Sequence, residues 1–132
     1  MNYNYIALGG ILAALSILFG ALGAHWLQAH ISLVDLQNFE TAVRYQMYHA
    51  LGLILLGIVY QALYGKLIRI AFHAFWLGIL MFSGSIYLLS TTNFSQLQLG
   101  WLGPVTPIGG VLFIVGWVLF VAAALGKTRE DE

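Results

Sequence analysis

Residues 5–24 read YIALGGILAALSILFGALGA, twenty positions without a charge or a proline. A bilayer core of about 30 Å needs ~20 helical residues. A helix also satisfies every backbone group within its own segment, as lipid demands. The apolar residues do not alternate with polar ones, so a membrane β-strand is excluded. The stretch reads as a transmembrane helix, and comparable segments recur at about 46–64, 67–89 and 107–125. The expected fold is all-α: a four-helix transmembrane bundle, with residues 1–132 forming a single integral membrane domain. Ala21–Ala24 offers the small residues of a cleavage site. Met1–Tyr5, however, lacks the Lys or Arg of a signal peptide, so the first span is expected to stay.

Composition agrees. The chain is 61% hydrophobic and 8% charged, where soluble domains carry roughly 25% charged residues. Five basic and five acidic residues give zero net charge, which leaves no basic face for nucleic acid. The absence of cysteine removes disulfides, thiol catalysis and thiolate metal sites. The charges gather at Asp35, Glu40 and Arg44, at Lys66 and Arg69, and at Lys127–Glu132. Lys66, Arg69, Lys127 and Arg129 would share one side of a four-span bundle, with Arg44 alone on the other. The positive-inside rule then puts both termini in the cytoplasm. Tyr3, Tyr5, Tyr60 and Tyr64 fit an inner aromatic belt, and Trp26, Tyr45, Tyr87 and Trp101 an outer one.

Ser32 and Asp35 form a capping-box start. Leu36, Phe39, Val43 and Met47 follow at helical spacing. This predicts an amphipathic segment from about Leu33, preceding or continuous with the second span, on or above the outer membrane surface. Glu40 and Arg44 share one face and should pair, for a few tenths of a kcal/mol if exposed. Thr106 and Pro107 suit the cap and first turn of the fourth span.

Small residues recur every seven positions: Ala7, Ala14 and Ala21; Gly9, Ser16 and Gly23; Gly109, Gly116 and Ala123. Such stripes let helix backbones approach closely in lipid, and the period implies a left-handed seam. No repeat relates the two halves, so an inverted-repeat transporter gains no support. The Gly109–Gly110 pair lacks the lysine and strand of a phosphate loop.

Polar residues in spans are the default functional candidates. His25 ends the first span and extends the Ala7–Ala14–Ala21 stripe towards the bundle or its rim. His49 lies about one turn inside the outer boundary of the second span, on a face with Tyr45 and Gly52. The two imidazoles are expected to converge near the outer end, below Glu40, Arg44 and Tyr45. Three readings of this cluster stay open. It is a structural cap, a proton-linked or small-ligand site using imidazole's near-neutral titration, or a metal or b-type haem held by the two histidines. Two histidines without a close carboxylate make a weak metal signal, so neither a metal nor a resident cofactor is expected. His73 and Trp76 read as interfacial anchors. No nucleophile elbow, metalloprotease helix or nucleotide signature occurs, which argues against an enzyme.

Several blocks resemble a known family: Gly20–His25 (GALGAH), Phe39–Leu51 (FETAVRYQMYHAL), Phe82–Tyr87 (FSGSIY), Thr106–Gly110 (TPIGG) and Gly116–Trp117. They are similar to the signature blocks of the YgdD-like family of small bacterial inner-membrane proteins, a domain of unknown function. Trp26 stands where that family usually has glycine, which would alter the turn after the first span. The resemblance covers nearly the whole chain. It implies a four-span inner-membrane protein and no activity. It draws interest to His25, Glu40, Arg44, Tyr45 and His49. The lipid bilayer is the expected partner, with self-association or another membrane protein beside it. The role expected is that of a non-enzymatic structural or accessory component. The alternatives are proton-coupled transport through His25 and His49, and a haem- or quinone-binding redox or assembly factor.

Overall fold

The computed structural model describes residues 1–63, 65–96 and 98–130, with backbone alone at Phe94 and at 127–130. Tyr64, the acidic residues 131–132 and the side chains of Lys127, Arg129 and Glu130 lie outside the described residues. The described residues form helices and short turns, with no strand among them. Helix α1 spans Tyr3–His25 and α2 spans Leu33–Val59. The third transmembrane segment is built of α3 (Lys66–Gly78), a π-helical stretch (Ile79–Gly84) and α4 (Ser85–Ser90). A short α5 (Thr92–Ser95) precedes α6 (Val105–Glu130). Four of these segments are long and apolar enough to cross a membrane.

The ends follow local chemistry. The Asn2 side chain accepts from Asn4 N and Tyr5 N and caps α1. Ser32 caps α2: its Oγ accepts from Asp35 N at 3.1 Å and donates to the Asp35 carboxylate at 2.7 Å. The fourth span departs from expectation. It starts at Val105, so Thr106 lies inside the helix and its hydroxyl meets Ser85 Oγ at 2.6 Å instead of capping.

Helix α1 packs along α2, α6 packs along the third segment, and α2 and the third segment meet in the centre. The α1–α2 seam can be read as an antiparallel ladder. Asn2 N donates to the Gly57 carbonyl (2.7 Å), Gly9 abuts Ala50, and Gln46 Nε2 donates to the Leu12 carbonyl (2.8 Å). Further along, Ser16 Oγ donates to the Val43 carbonyl (2.8 Å), and Gly23 meets the Phe39 ring. A Cβ at Gly9 would fall 2.7 Å from the Ala50 oxygen, so only glycine permits this approach.

The ladder corrects the placement of the second span. Helix α2 runs unbroken from Leu33, and Phe39, Ala42 and Gln46 are buried. The apolar face of the amphipathic segment packs into the bundle and does not rest on the membrane surface. Periodicity identified that face, but periodicity alone does not say whether lipid or protein covers it. Tyr45 and Tyr87 move inward with this shift. Tyr87 packs on Phe19 and Phe39, and Tyr45 on Phe82 and Phe113, so neither belongs to an end belt.

The small-residue stripes divide. Gly9, Ser16 and Gly23 are buried against α2, whereas Ala7, Ala14 and Ala21 are exposed on the far side of α1. Both stripes share one period, so their spacing is the same. What separates them is that Gly9 accommodates backbone and Ser16 has a carbonyl to bond. On α6, Gly109 meets the backbone of Phe82, Gly116 meets the Phe75 ring, and Ala123 packs on the core. The π-helical stretch has no counterpart in the sequence reading. Its widened turn presses Phe82 onto Gly109 and directs Ser83 at α2. The apolar core, including Leu53, Leu56, Ile68, Phe75 and Phe113, fills the half of the bundle towards Lys66.

Candidate functional site

Helix α2 holds the polar centre of the molecule. At Ala42 and Val43 its backbone carbonyls accept from Ser83 Oγ and Ser16 Oγ, both at 2.8 Å. One turn on, Gln46 links three segments: its amide nitrogen donates to Leu12 of α1, and its oxygen accepts from the Tyr87 hydroxyl at 2.9 Å. The next turn carries His49, 5% exposed. Its Nδ1 lies 2.7 Å from the Tyr45 carbonyl, and its Nε2 lies 3.2 Å from Trp117 Nε1. A carbonyl only accepts and an indole N–H only donates, so the partners specify a neutral ring with its proton on Nδ1. The ring stacks on Phe113, with centroids 3.4 Å apart and planes 9° apart, and meets Phe75 edge-on. With both nitrogens engaged, His49 presents no lone pair to a ligand. His49 lines a cavity of ≈ 540 Å³ together with Tyr45, Phe82, Phe113, Trp117 and the first turns of α6 from Pro107 to Ile114.

His25 does not join this centre. It is exposed at the end of α1. Leu12 marks the level of Gln46, and His25 lies thirteen residues beyond Leu12, ~20 Å along the axis at 1.5 Å per residue. His49 also faces α6, on the other side of α2 from α1. The expected convergence of His25 and His49 is therefore corrected. It placed His49 a turn below the boundary, whereas α2 already packs against α1 at Phe39, ten residues before His49. Tyr45 touches His49 through its backbone and is half exposed. Glu40 and Arg44 stand 3.9 Å apart, with side chains 51% and 53% exposed, on the outward face of α2. Among the described residues, no three His, Asp or Glu side chains come together.

Gln46, Ser83 and Trp117 escaped the sequence reading as site residues. Gln46 shares a helical face with Phe39, Val43 and Ala50, and an amide on that otherwise apolar face was the available signal. Trp117 Nε1 had none, because its partner is sixty-eight positions away.

These features define a class: polytopic helical membrane proteins whose interior polar groups bind one another's helices. Within it, the chain belongs to the family described as "Protein of unknown function (DUF423)", whose model matches residues 19–110. The UPF0382 membrane protein YwdK of Bacillus subtilis (strain 168) is 44% identical over 124 residues, covering 92% of this chain and 95% of that protein. The UPF0382 membrane protein SH2409 of Staphylococcus haemolyticus is 40% identical over 117 residues, covering 89% and 91%. The UPF0382 membrane protein SSP2132 of Staphylococcus saprophyticus is 42% identical over 117 residues, covering 89% and 92%. No solved structure matches the chain.

Proposed function

We propose that this membrane protein is a non-enzymatic structural or accessory component: one membrane-embedded unit in the cytoplasmic (inner) membrane, with both termini in the cytoplasm. The sequence blocks quoted above also favour the narrower YgdD-like grouping. One observation carries the reading. Among the described residues, the buried Ser, Gln and His side chains lie at or on the His25 side of the His49 level, and towards Lys66 the core is apolar. Proton-coupled transport needs a continuous polar path, and this core interrupts one. Haem held between His25 and His49 is disfavoured by their separation along the bundle. His49 acts as an internal clasp between α2 and α6.

The reading is tested in two ways. Protein reconstituted in liposomes with a trapped pH dye should leak protons no faster than empty liposomes, with or without His49→Ala. Crosslinking in native membranes should capture another protein, this chain or a different one. A flux abolished by His49→Ala would replace the proposal with transport, and crosslinking that captures nothing would remove the accessory role.

A further inference from the structure

The Glu40–Arg44 pair lies at an unusual depth. Val43 is bonded to Ser16, nine residues or ~13 Å below the His25 end of α1. Arg44 thus leaves its helix near the middle of the uncharged 5–24 stretch. Phe39 meets Gly23, so Glu40 also lies within the span. Charged residues inside membrane spans almost always face the bundle interior or a water-filled cavity. These two face outward, each more than half exposed.

Their face has a regular pattern. Gln37, Thr41, Arg44, Tyr48, Leu51, Leu55 and Ile58 follow spacings of four and three, the seam of a left-handed helix pair. All are exposed except Thr41, which is half-buried. Two turns near the His25 end are polar, and the rest is apolar. The Arg44 fork is little used within the chain. It donates to Thr41 Oγ1 at 3.1 Å, and at 3.9 Å its contact with Glu40 exceeds hydrogen-bond length.

We propose that this face of α2 is the contact by which two copies of the chain associate side by side, with a two-fold axis along the membrane normal. The patch is complementary to itself, with one acid and one base a turn apart and no net charge. A two-fold brings two such pairs together at the same depth, where each guanidinium reaches its own carboxylate and its neighbour's. A polar position within an apolar seam also fixes register and copy number. A partner bearing a single sign of charge would leave one member of the pair uncovered. The inference rests on the accessory role proposed above and names a second copy of the chain as its partner; loss of the dimer with capture of a different protein would remove this inference and leave that role standing.

The chain lacks cysteine, so introduced cysteines report without background. Single cysteines at Tyr48, Leu51 and Leu55, oxidised in native membranes, should give covalent dimers. Cysteines at Ile17 and Val118, exposed on α1 and α6, should not. Charge reversal separates contact between copies from contact within one. Arg44→Glu alone and Glu40→Arg alone should each lose the dimer, and the two variants co-expressed with different tags should recover it as a mixed dimer. Recovery has no explanation within a single chain. Single-cysteine protein with Glu40 and Arg44 intact that crosslinks at no seam position or crosslinks equally at the control faces, or charge-reversed variants that give no mixed dimer, would overturn the proposal. A monomer whose Arg44 reaches lipid headgroups would give the first of these results.

Discussion

Two adjacent-glycine pairs show how much one hydrogen atom decides in this molecule. At Gly9 an added Cβ would meet the Ala50 oxygen and Ile54, while at Gly10 it would meet nothing within 4 Å. At Gly109 it would meet the backbone of Phe82, while at Gly110 it would make ordinary contact with the Phe82 ring. In lipid there is little hydrophobic drive between helices, so close packing holds them together. Gly9→Ala forces α1 off α2 and should cost about 1–3 kcal/mol, the usual range for overpacking. Gly10→Ala adds a helix-favouring methyl in open space and should leave stability unchanged or raise it by up to about 1 kcal/mol. Unfolding of the two variants in mixed micelles checks the contrast. Equal effects would mean that α1 and α2 are not pressed together at Gly9.

At the scale of the element, α2 is the hub, and its neighbours attach at different atoms. Ser16 of α1 bonds Val43, and Ser83 of the π-helical stretch bonds Ala42. Interhelical hydrogen bonds in membrane proteins average ~0.6 kcal/mol. Ser16→Ala and Ser83→Ala should each cost about that much. Because they act on different helix contacts, the double variant should cost about the sum, as measured by reversible unfolding. A large excess would show that the two attachments form one cooperative unit. The existence of four spans was legible in the sequence, because lipid imposes length, and so was the Gly9, Ser16 and Gly23 stripe, but the sequence offered the exposed Ala7, Ala14 and Ala21 stripe equally, and only contact with α2 chooses between them. The depth of α2 was not. Leu33–Gln46 carries Asp35, Glu40 and Arg44, and those charges lower its hydropathy as a surface helix's would. Only contact with α1 shows that the segment lies inside the bundle. The His49–Trp117 bond was equally hidden, since pairing between helices leaves no periodic trace in either one.

For the whole molecule the open question is direction across the membrane, and the bundle gives it a physical handle. Lys66 and Arg69 are exposed at the end opposite the His25–Leu33 turn. That turn and the first helical turn of α2 carry no Lys or Arg. If positive charge sets orientation, a reporter fused after residue 132 should report the cytoplasm. Replacing Lys66 and Arg69 by glutamine removes two of the five basic residues. Adding lysines at the exposed Gln28 and Ala29 places new charge at the other end, outside the α1–α2 ladder. The combined variant should then show a mixed or inverted population, visible as loss of the cytoplasmic reporter signal with no fall in protein level. An unchanged signal would mean that orientation is held by something other than these short connections. Lys127 and Arg129 after α6 would then be the next charges to remove, because the end of the last span can also direct a topology.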